Sequence, residues 1–262
     1  MRPLATMPGE VRRGIRCVLT DIDDTLSTHG RLTAQAYAAM ERLRAAGRLV
    51  IPITGRPAGW CDHIARMWPV DAVVGENGAF YMRYDEARRR LVRRFVDDDA
   101  TRRAHRERLA GIAQKILAAV PGCALASDQL YRETDLAIDF REDVAALPRA
   151  SVDRIVALMQ TEGMTAKVSS IHVNGWFGSY DKLAMTRMLL AEVFGTDLEA
   201  EREHFVFAGD SPNDAPMFAY FPNAVGVANV RDFADRIATL PAYVTQAAAG
   251  AGFAELAEFL LA

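Results

Sequence analysis

Asp21 and Asp23 stand two residues apart where the apolar run Val18-Leu19-Thr20 ends, and Asp24 and Thr25 follow directly. A strand that delivers two carboxylates to one small site concentrates negative charge where the backbone leaves the sheet. Their mutual repulsion is about a few kcal/mol at protein-like dielectric, on the order of 332/(εr). Such repulsion is normally relieved by a cation or turned to chemical use. A single Asp reads as a turn or a helix cap. Three in this setting ask for matching parts elsewhere in the chain.

Those parts are present. Thr54-Gly55-Arg56 follows the apolar run Leu49–Ile53, Asn77 lies in Gly75-Glu76-Asn77-Gly78 after Ala72–Val74, and Asp210 and Asp214 follow Phe205–Ala208. Each cluster sits at the carboxyl end of a strand-like stretch. In an open parallel α/β sheet those ends share one edge, where ligands bind. Taken singly, Thr54-Gly55 reads as a turn, Lys182 as surface charge and Asp210 as a helix cap. Their convergence carries the argument.

The elements that must position these groups alternate in type. Val18–Thr20 reads as a strand, and Thr33–Ala46 as a helix capped by Thr33 and stopped by Gly47. Leu49–Ile53 reads as a second strand, Trp60–Met67 as a helix, and Ala72–Val74 as a third strand. Short loops between them imply parallel strands and right-handed crossovers. The pattern then changes. Ala79–Met82 and Leu91–Val96 form an expected hairpin, and the Arg-rich stretch Arg88–Arg94 beside Asp97–Asp99 reads as its solvated surface. Ala100–Ala119 and Ser151–Gln160 read as helices. Leu136, Ile138 and Phe140 suggest a strand with one exposed face, and Lys167–Trp176 reads as another strand. Alternation resumes with a helix over Lys182–Phe194, strands at Phe205–Ala208, Ala224–Val227 and Tyr243–Thr245, a helix begun by Asn213–Ala219, and a closing helix over Ala254–Leu261. The expected fold is therefore α/β: a doubly wound, Rossmann-like parallel sheet with an inserted α+β cap domain. Its parts are residues 1–95 and 179–262 as the core and 96–178 as the cap, hinged near Val96–Asp98 and Gly178–Asp181.

Composition narrows the function. At 262 residues the chain can hold one large domain or a core with an insertion. A net charge of -3 argues against a general nucleic-acid binder, which carries a basic face. No apolar run approaches the ~20 residues that span a bilayer, and Met1–Arg16 lacks the apolar stretch of a secretory signal. Cys17, Cys61 and Cys123 are widely spaced and form no CxxC pair, which suits free thiols in a reducing cytoplasm. Nucleic acid and membrane are therefore not expected as partners, and the chain is expected to be a monomer or homodimer.

The motifs resemble those of the haloacid dehalogenase-like phosphatases, in the subgroup (subfamily IIB, Cof-type and sucrose-phosphate-phosphatase-like) that carries a large α+β cap of the C2 type. Asp21-Ile22-Asp23-Asp24-Thr25 fits DxDxT, Thr54-Gly55-Arg56 fits the strand-end Thr motif, and Lys182 fits the basic position. Gly209-Asp210-Ser211-Pro212-Asn213-Asp214 fits GDxxND, and Asn77-Gly78-Ala79 looks like the subgroup's NGA element. One departure is Asp24, where many members carry Gly. The resemblance runs from about Val18 to the C-terminus, with the cap matching in length and pattern rather than in residues.

This resemblance implies a Mg²⁺-dependent phosphatase whose partner is a small phosphomonoester, a sugar phosphate. Asp21 would attack phosphorus, and Asp23 would protonate the leaving group and then deprotonate water. Asp21, the backbone carbonyl of Asp23 and Asp210 would hold Mg²⁺, with Asp214 close by. Thr54, Gly55 and Asn213 would bind phosphoryl oxygens, and Lys182 would neutralise charge on the aspartate. Arg56, Asn77, His172 and Asn174 are candidate substrate contacts. His172, Asn174 and Trp176 share one strand face, a possible sugar-binding surface or a packed sheet face with equal claim; Asp128, Arg132 and Asp135 are weaker candidates. The alternatives are a phosphotransferase or phosphomutase of the phosphomannomutase type and a non-catalytic binding protein. The intact Asp21, Asp23, Lys182 and Asp210 set speaks against the last.

Overall fold

In the central strands, successive side chains feed two different hydrophobic layers. Val18, Val50 and Val206 pack with helices Ala34–Ala45, Ala58–Met67 and Ala249–Leu261. Their neighbours Leu19, Ile51 and Phe207 pack with helices Lys182–Phe194 and Ala215–Tyr220. A strand apolar on both faces needs helices on both faces, which is why these segments read as continuous apolar runs. The computed structural model describes all 262 residues. Its main sheet has six strands in the order Arg2–Pro3, Tyr243–Val244, Val225–Gly226, Phe205–Gly209, Cys17–Thr20 and Leu49–Pro52. Every neighbouring pair is parallel. The sequence reading missed the edge strand Arg2–Pro3, which has no apolar run to announce it.

Register aligns the functional ends. Thr20 lies opposite Ala208 on one side and Pro52 on the other. The loops opened by Asp21, Asp210 and Thr54 therefore leave the sheet at one level.

Three expectations need correction. Val73–Gly75 is not a full third parallel strand: it touches the main sheet through one parallel bridge, Ile53 to Val74, and otherwise pairs antiparallel with Phe80–Asp85. That strand pairs in turn with Arg90–Phe95, completing the expected hairpin. The stretch Lys167–Trp176 is two strands, Thr165–Val168 and His172–Trp176, because Ser169–Ile171 turns back on itself. Asp135–Asp139 has no exposed face; all five residues are buried.

The last point follows from the layer it occupies. Thr165–Val168, His172–Trp176, Asp135–Asp139 and Ala124–Leu125 form an antiparallel four-stranded sheet. Leu136, Ile138 and Val173 face helices Asp99–Ala119 and Arg149–Thr161, meeting Ile112, Ile116, Ile155 and Met159 in a separate apolar cluster. The opposite face carries Asp135, Asp139, His172 and Asn174, with Asp139 opposite His172, Asn174 opposite Ala137 and Asp135 opposite Trp176. It is covered by the loops at the edge of the parallel sheet. No helix of the protein is long and apolar enough to cross a membrane.

Candidate active site

Asp21, Asp210 and Asp214 bring carboxylate oxygens within 4.8 Å of one another, and all three are buried. The fold dictates this meeting. Asp21 continues the ladder by donating its N–H to the Ala208 carbonyl at 2.8 Å, and Asp210 follows the end of that same neighbouring strand. Asp214 closes a capping box with Ser211, its Oδ2 accepting from the Asp210 and Ser211 N–H groups at 3.1 and 3.3 Å. Asp210 accepts from the Thr25 hydroxyl at 3.3 Å and from Asn229 Nδ2 at 3.0 Å.

One cation faces the three. Lys182 Nζ donates to Asp21 Oδ1 and to Asp214 Oδ1, each at 2.6 Å. Burial opposes the charge on Lys182, but Asp21 and Asp214 outweigh it and hold the ammonium above its usual pKa. Burial pushes the Asp21 carboxyl up to about 8 against the pull of Lys182, with Asp214 and Asp23 adding to the rise. Burial, Asp21, Asp214 and Asp24 drive Asp210 well above the carboxylate range. Three buried carboxylates thus share a single ammonium. An all-oxygen cluster with that deficit of positive charge fits a hard divalent cation such as Mg²⁺.

Asp23 is placed differently. Its carboxylate lies outside the cluster, gripped by Arg56, whose Nε donates to Oδ1 at 2.9 Å and to Oδ2 at 3.0 Å. Asp24 next to it adopts φ +56°, a left-handed turn that Asp tolerates and Gly adopts freely, which accounts for the departure from Gly there.

The Thr54 turn forms the third wall. Thr54 is fully buried, and its hydroxyl accepts from the Arg56 N–H at 3.0 Å. Asn77 packs over Gly55, where a Cβ would stand 3.1 Å from its Nδ2. Asn77 Oδ1 accepts from Asn213 Nδ2 at 3.4 Å, while its own Nδ2 is buried without a partner. Asn77 therefore belongs with Thr54 and Asn213, apart from His172 and Asn174.

Arg56 also reaches the antiparallel sheet. Its Nη2 donates to Glu142 Oε1 at 2.6 Å and its Nη1 to Asp128 Oδ2 at 3.2 Å. These carboxylates outweigh the effect of burial and keep the guanidinium above its usual pKa. Glu142, although burial works to raise it, is lowered to about 2 by His172 and Arg56. His172 Nε2 comes within 2.9 Å of Glu142 Oε2 without directing its N–H along that line. Asn174 Nδ2 donates to Asp135 Oδ2 at 3.0 Å. Arg132 binds Asp128 and Asp135 and donates to the Gly55 carbonyl at 2.9 Å. The space left between Asp21, Asp23, Arg56, His172 and Asn213 is about 10 Å³, room for roughly one water. The indole of Trp176 lies elsewhere, stacked on Tyr180 with centroids 5.6 Å apart, so it adds nothing to a sugar-facing surface.

Some members of this site were only weakly legible or escaped sequence reasoning. Asp128, Arg132 and Asp135 were the weaker candidates, read mainly as loop residues, yet their spacing of three and four already permitted the ion pairs they form. Glu142, Glu76 and Asn229 carried no local signal, because their partners are distant in sequence.

The fold is similar to that of solved haloacid dehalogenase-like hydrolases, and residues 18–108 match the model of the haloacid dehalogenase-like hydrolase family. The matched segment contains Asp21, Asp23, Thr54, Gly55, Arg56 and Asn77. A search of curated proteins by sequence finds no match. Among solved structures, a Thermoplasma acidophilum protein is similar at TM-score 0.68 and 18% identity, over 94% of this chain and 98% of that one. The sucrose-phosphatase of Synechocystis sp., solved with sucrose and phosphate, is similar at TM-score 0.63 and 17% identity, over 94% and 98%. A haloacid dehalogenase subclass IIB sugar phosphatase is similar at TM-score 0.61 and 14% identity, over 93% and 98%.

Proposed function

We propose that the protein is a Mg²⁺-dependent phosphatase that hydrolyses a small phosphomonoester, a sugar phosphate, through an aspartyl-phosphate on Asp21. The observation that carries this reading is the buried Asp21, Asp210 and Asp214 cluster with Lys182 bonded to two of its members. Asp21, Asp210 and Asp214, with the Asp23 carbonyl, would hold the cation, which when bound supplies charge neutralisation to the phosphoryl group.

The chain's own residues do the rest. An Asp21 oxygen attacks phosphorus, the ester P–O bond breaks, and the departing oxygen takes a proton from Asp23. Asp23 then removes a proton from water, whose oxygen attacks the same phosphorus and releases phosphate and free Asp21. Splitting the hydrolysis this way replaces one hard step by two easier ones. Thr54, the Gly55 turn and Asn213 orient the phosphoryl oxygens, and Lys182 counters charge on Asp21. Orientation and charge neutralisation supply most of the acceleration in such reactions.

Residues 96–178 act as the cap in this reading, with Arg56, His172 and Asn174 facing the leaving group. The space among Asp21, Asp23, Arg56, His172 and Asn213, about 10 Å³, is too small for a phosphomonoester, so in this reading residues 96–178 must move to admit substrate. The experiment is phosphate release from a panel of sugar phosphates with and without Mg²⁺, for the natural protein and Asp21→Asn. Loss of at least about 10³-fold in the variant is expected. Equal turnover by Asp21→Asn would eliminate the nucleophile. Sugar bisphosphate products would favour phosphoryl transfer over hydrolysis.

A further inference from the structure

Glu76 has no part in the reaction above, yet its carboxylate is wholly buried between two parts of the fold. Its Oε1 accepts from the Ala58 N–H at 2.9 Å, at the start of helix Ala58–Met67. The same oxygen accepts from the Glu133 N–H at 2.9 Å. Oε2 accepts from the Thr134 N–H at 2.7 Å and from the Thr134 hydroxyl. Glu133 and Thr134 lead directly into the strand Asp135–Asp139 of the antiparallel sheet. One side chain thus joins the approach to that sheet to the start of helix Ala58–Met67 on the core side.

The backbone on either side is sewn to the phosphoryl corner. Glu76 donates its N–H to the Arg56 carbonyl at 3.1 Å, and Asn77 donates to the Thr54 carbonyl at 3.0 Å. Asn77 then holds Asn213 through its side chain. Glu76, Asn77 and Gly78 have φ of +43°, +54° and +108°. Left-handed conformation at two adjacent non-glycine residues persists only where the surroundings fix it. On the far side, a Cβ on Gly78 would overlap the Asp181 carbonyl, one residue before Lys182. A buried carboxylate is a costly way to join two surfaces that apolar contact could hold. What it adds is direction: four acceptor contacts fix both distance and angle.

We propose that Glu76 is a positioning residue: it fixes the 133–134 turn of the inserted module against the strained 76–78 loop and so sets Asn77 and Asn213 for the phosphoryl group. When the module shifts, the loop shifts with it, and the phosphoryl corner is complete only with the module seated. Because this assignment deepens the phosphatase reading, two separate readouts test it. The first is the affinity for inorganic phosphate in the presence of Mg²⁺, by calorimetry well below the unfolding temperature, for the natural protein, Glu76→Gln, Thr134→Ala and the double variant. Each single change is expected to weaken phosphate at least about fivefold, with the double variant no weaker than Glu76→Gln, since residues that act through one contact do not add. The second is amide hydrogen exchange in the phosphate-free protein, where Thr134→Ala is expected to speed exchange over residues 76–79 at least about tenfold. Unchanged phosphate affinity together with unchanged exchange in a folded variant would overturn the assignment. If Glu76→Gln fails to fold, Thr134→Ala decides alone. Should the natural protein bind no phosphate and cleave no ester, the phosphatase reading falls, and the exchange result still decides the role of Glu76.

Discussion

Arg56 holds Asp23 through three contacts from two nitrogens, its Nε at 2.9 and 3.0 Å from the two carboxylate oxygens and its Nη2 at 2.8 Å from Oδ1. The group proposed to move the proton is therefore fixed by a side chain that also bonds Glu142 and Asp128 of the inserted module. In the proposed function, a movement of residues 96–178 away from Arg56 would also loosen its hold on Asp23, because one guanidinium bonds both. Trp60 completes the arrangement, its ring lying 4.3 Å from the guanidinium carbon of Arg56.

Arg56→Ala leaves Asp23, Asp128 and Glu142 without their common cation. Breaking a buried pair by removing one partner costs about 3–5 kcal/mol, and kcat/KM is expected to fall at least about tenfold. Arg56→Lys should recover part of the stability but little of the activity, because an ammonium cannot reproduce the fork. Thermal unfolding and steady-state kinetics check both; full activity in Arg56→Lys would show that the fork does not matter.

Mg²⁺ should raise the unfolding temperature of the natural protein. A ligand at about 100 times its Kd stabilises by about 2.7 kcal/mol, a shift of several degrees for a chain of this size. Asp210→Asn should abolish most of that shift. The comparison is a pair of melting curves with Mg²⁺ and with chelator, and an equal shift in the variant would remove Asp210 from the cation site.

Burial raises the Glu76 carboxyl from its ordinary 4.5 to about 7, with Asp135 adding to the rise while Arg132, Thr134 and Glu133 oppose it. The folded form thus binds this proton more readily than the unfolded form. The group's stabilising share is complete below about pH 4.5 and is lost as the pH climbs through about 7. Glu76→Gln has no proton to lose. The melting-temperature advantage of the natural protein over Glu76→Gln is therefore expected to shrink between about pH 5 and about pH 8, while Arg132, Asp135, Cys61 and Tyr180 around it are common to both. A gap constant across that range contradicts the prediction.

Gly78→Ala should be among the most damaging small substitutions. The new Cβ would collide with the Asp181 backbone at φ +108°, so neither side can yield cheaply. A loss of at least about 2 kcal/mol is expected, read as a lower urea midpoint. Gly30→Ala, also left-handed but with open space around it, should cost less.

Gly178, in the expected hinge, adopts φ +108°. Proline cannot take that angle and alanine takes it only with strain, so Gly178→Ala is the milder probe and itself costs some stability. It is expected to lower turnover more than thermal stability, and unchanged turnover in steady-state assays would place the hinge elsewhere.

The residues Asp21, Asp23, Thr54, Asp210 and Asp214 were legible because strand ends in a parallel sheet must meet at one edge, whatever packs around them. Continuous apolar runs told the same story for Val18, Leu19, Val206 and Phe207, since a strand apolar on both faces needs a helical layer on each. Sequence could not reveal that Asp135–Asp139 is buried on both faces, because its polar face is covered by loops far away in the chain. Nor could it show that Asp23 is held by Arg56, that Trp176 turns toward Tyr180, or that Glu76 ties the 133–134 turn to helix Ala58–Met67. Those facts depend on how two separately folded layers approach each other, and the angle of approach is fixed by contacts between residues tens of positions apart. Local periodicity determined the elements and their order; only the docking of one sheet on the other decided which charges share a pocket.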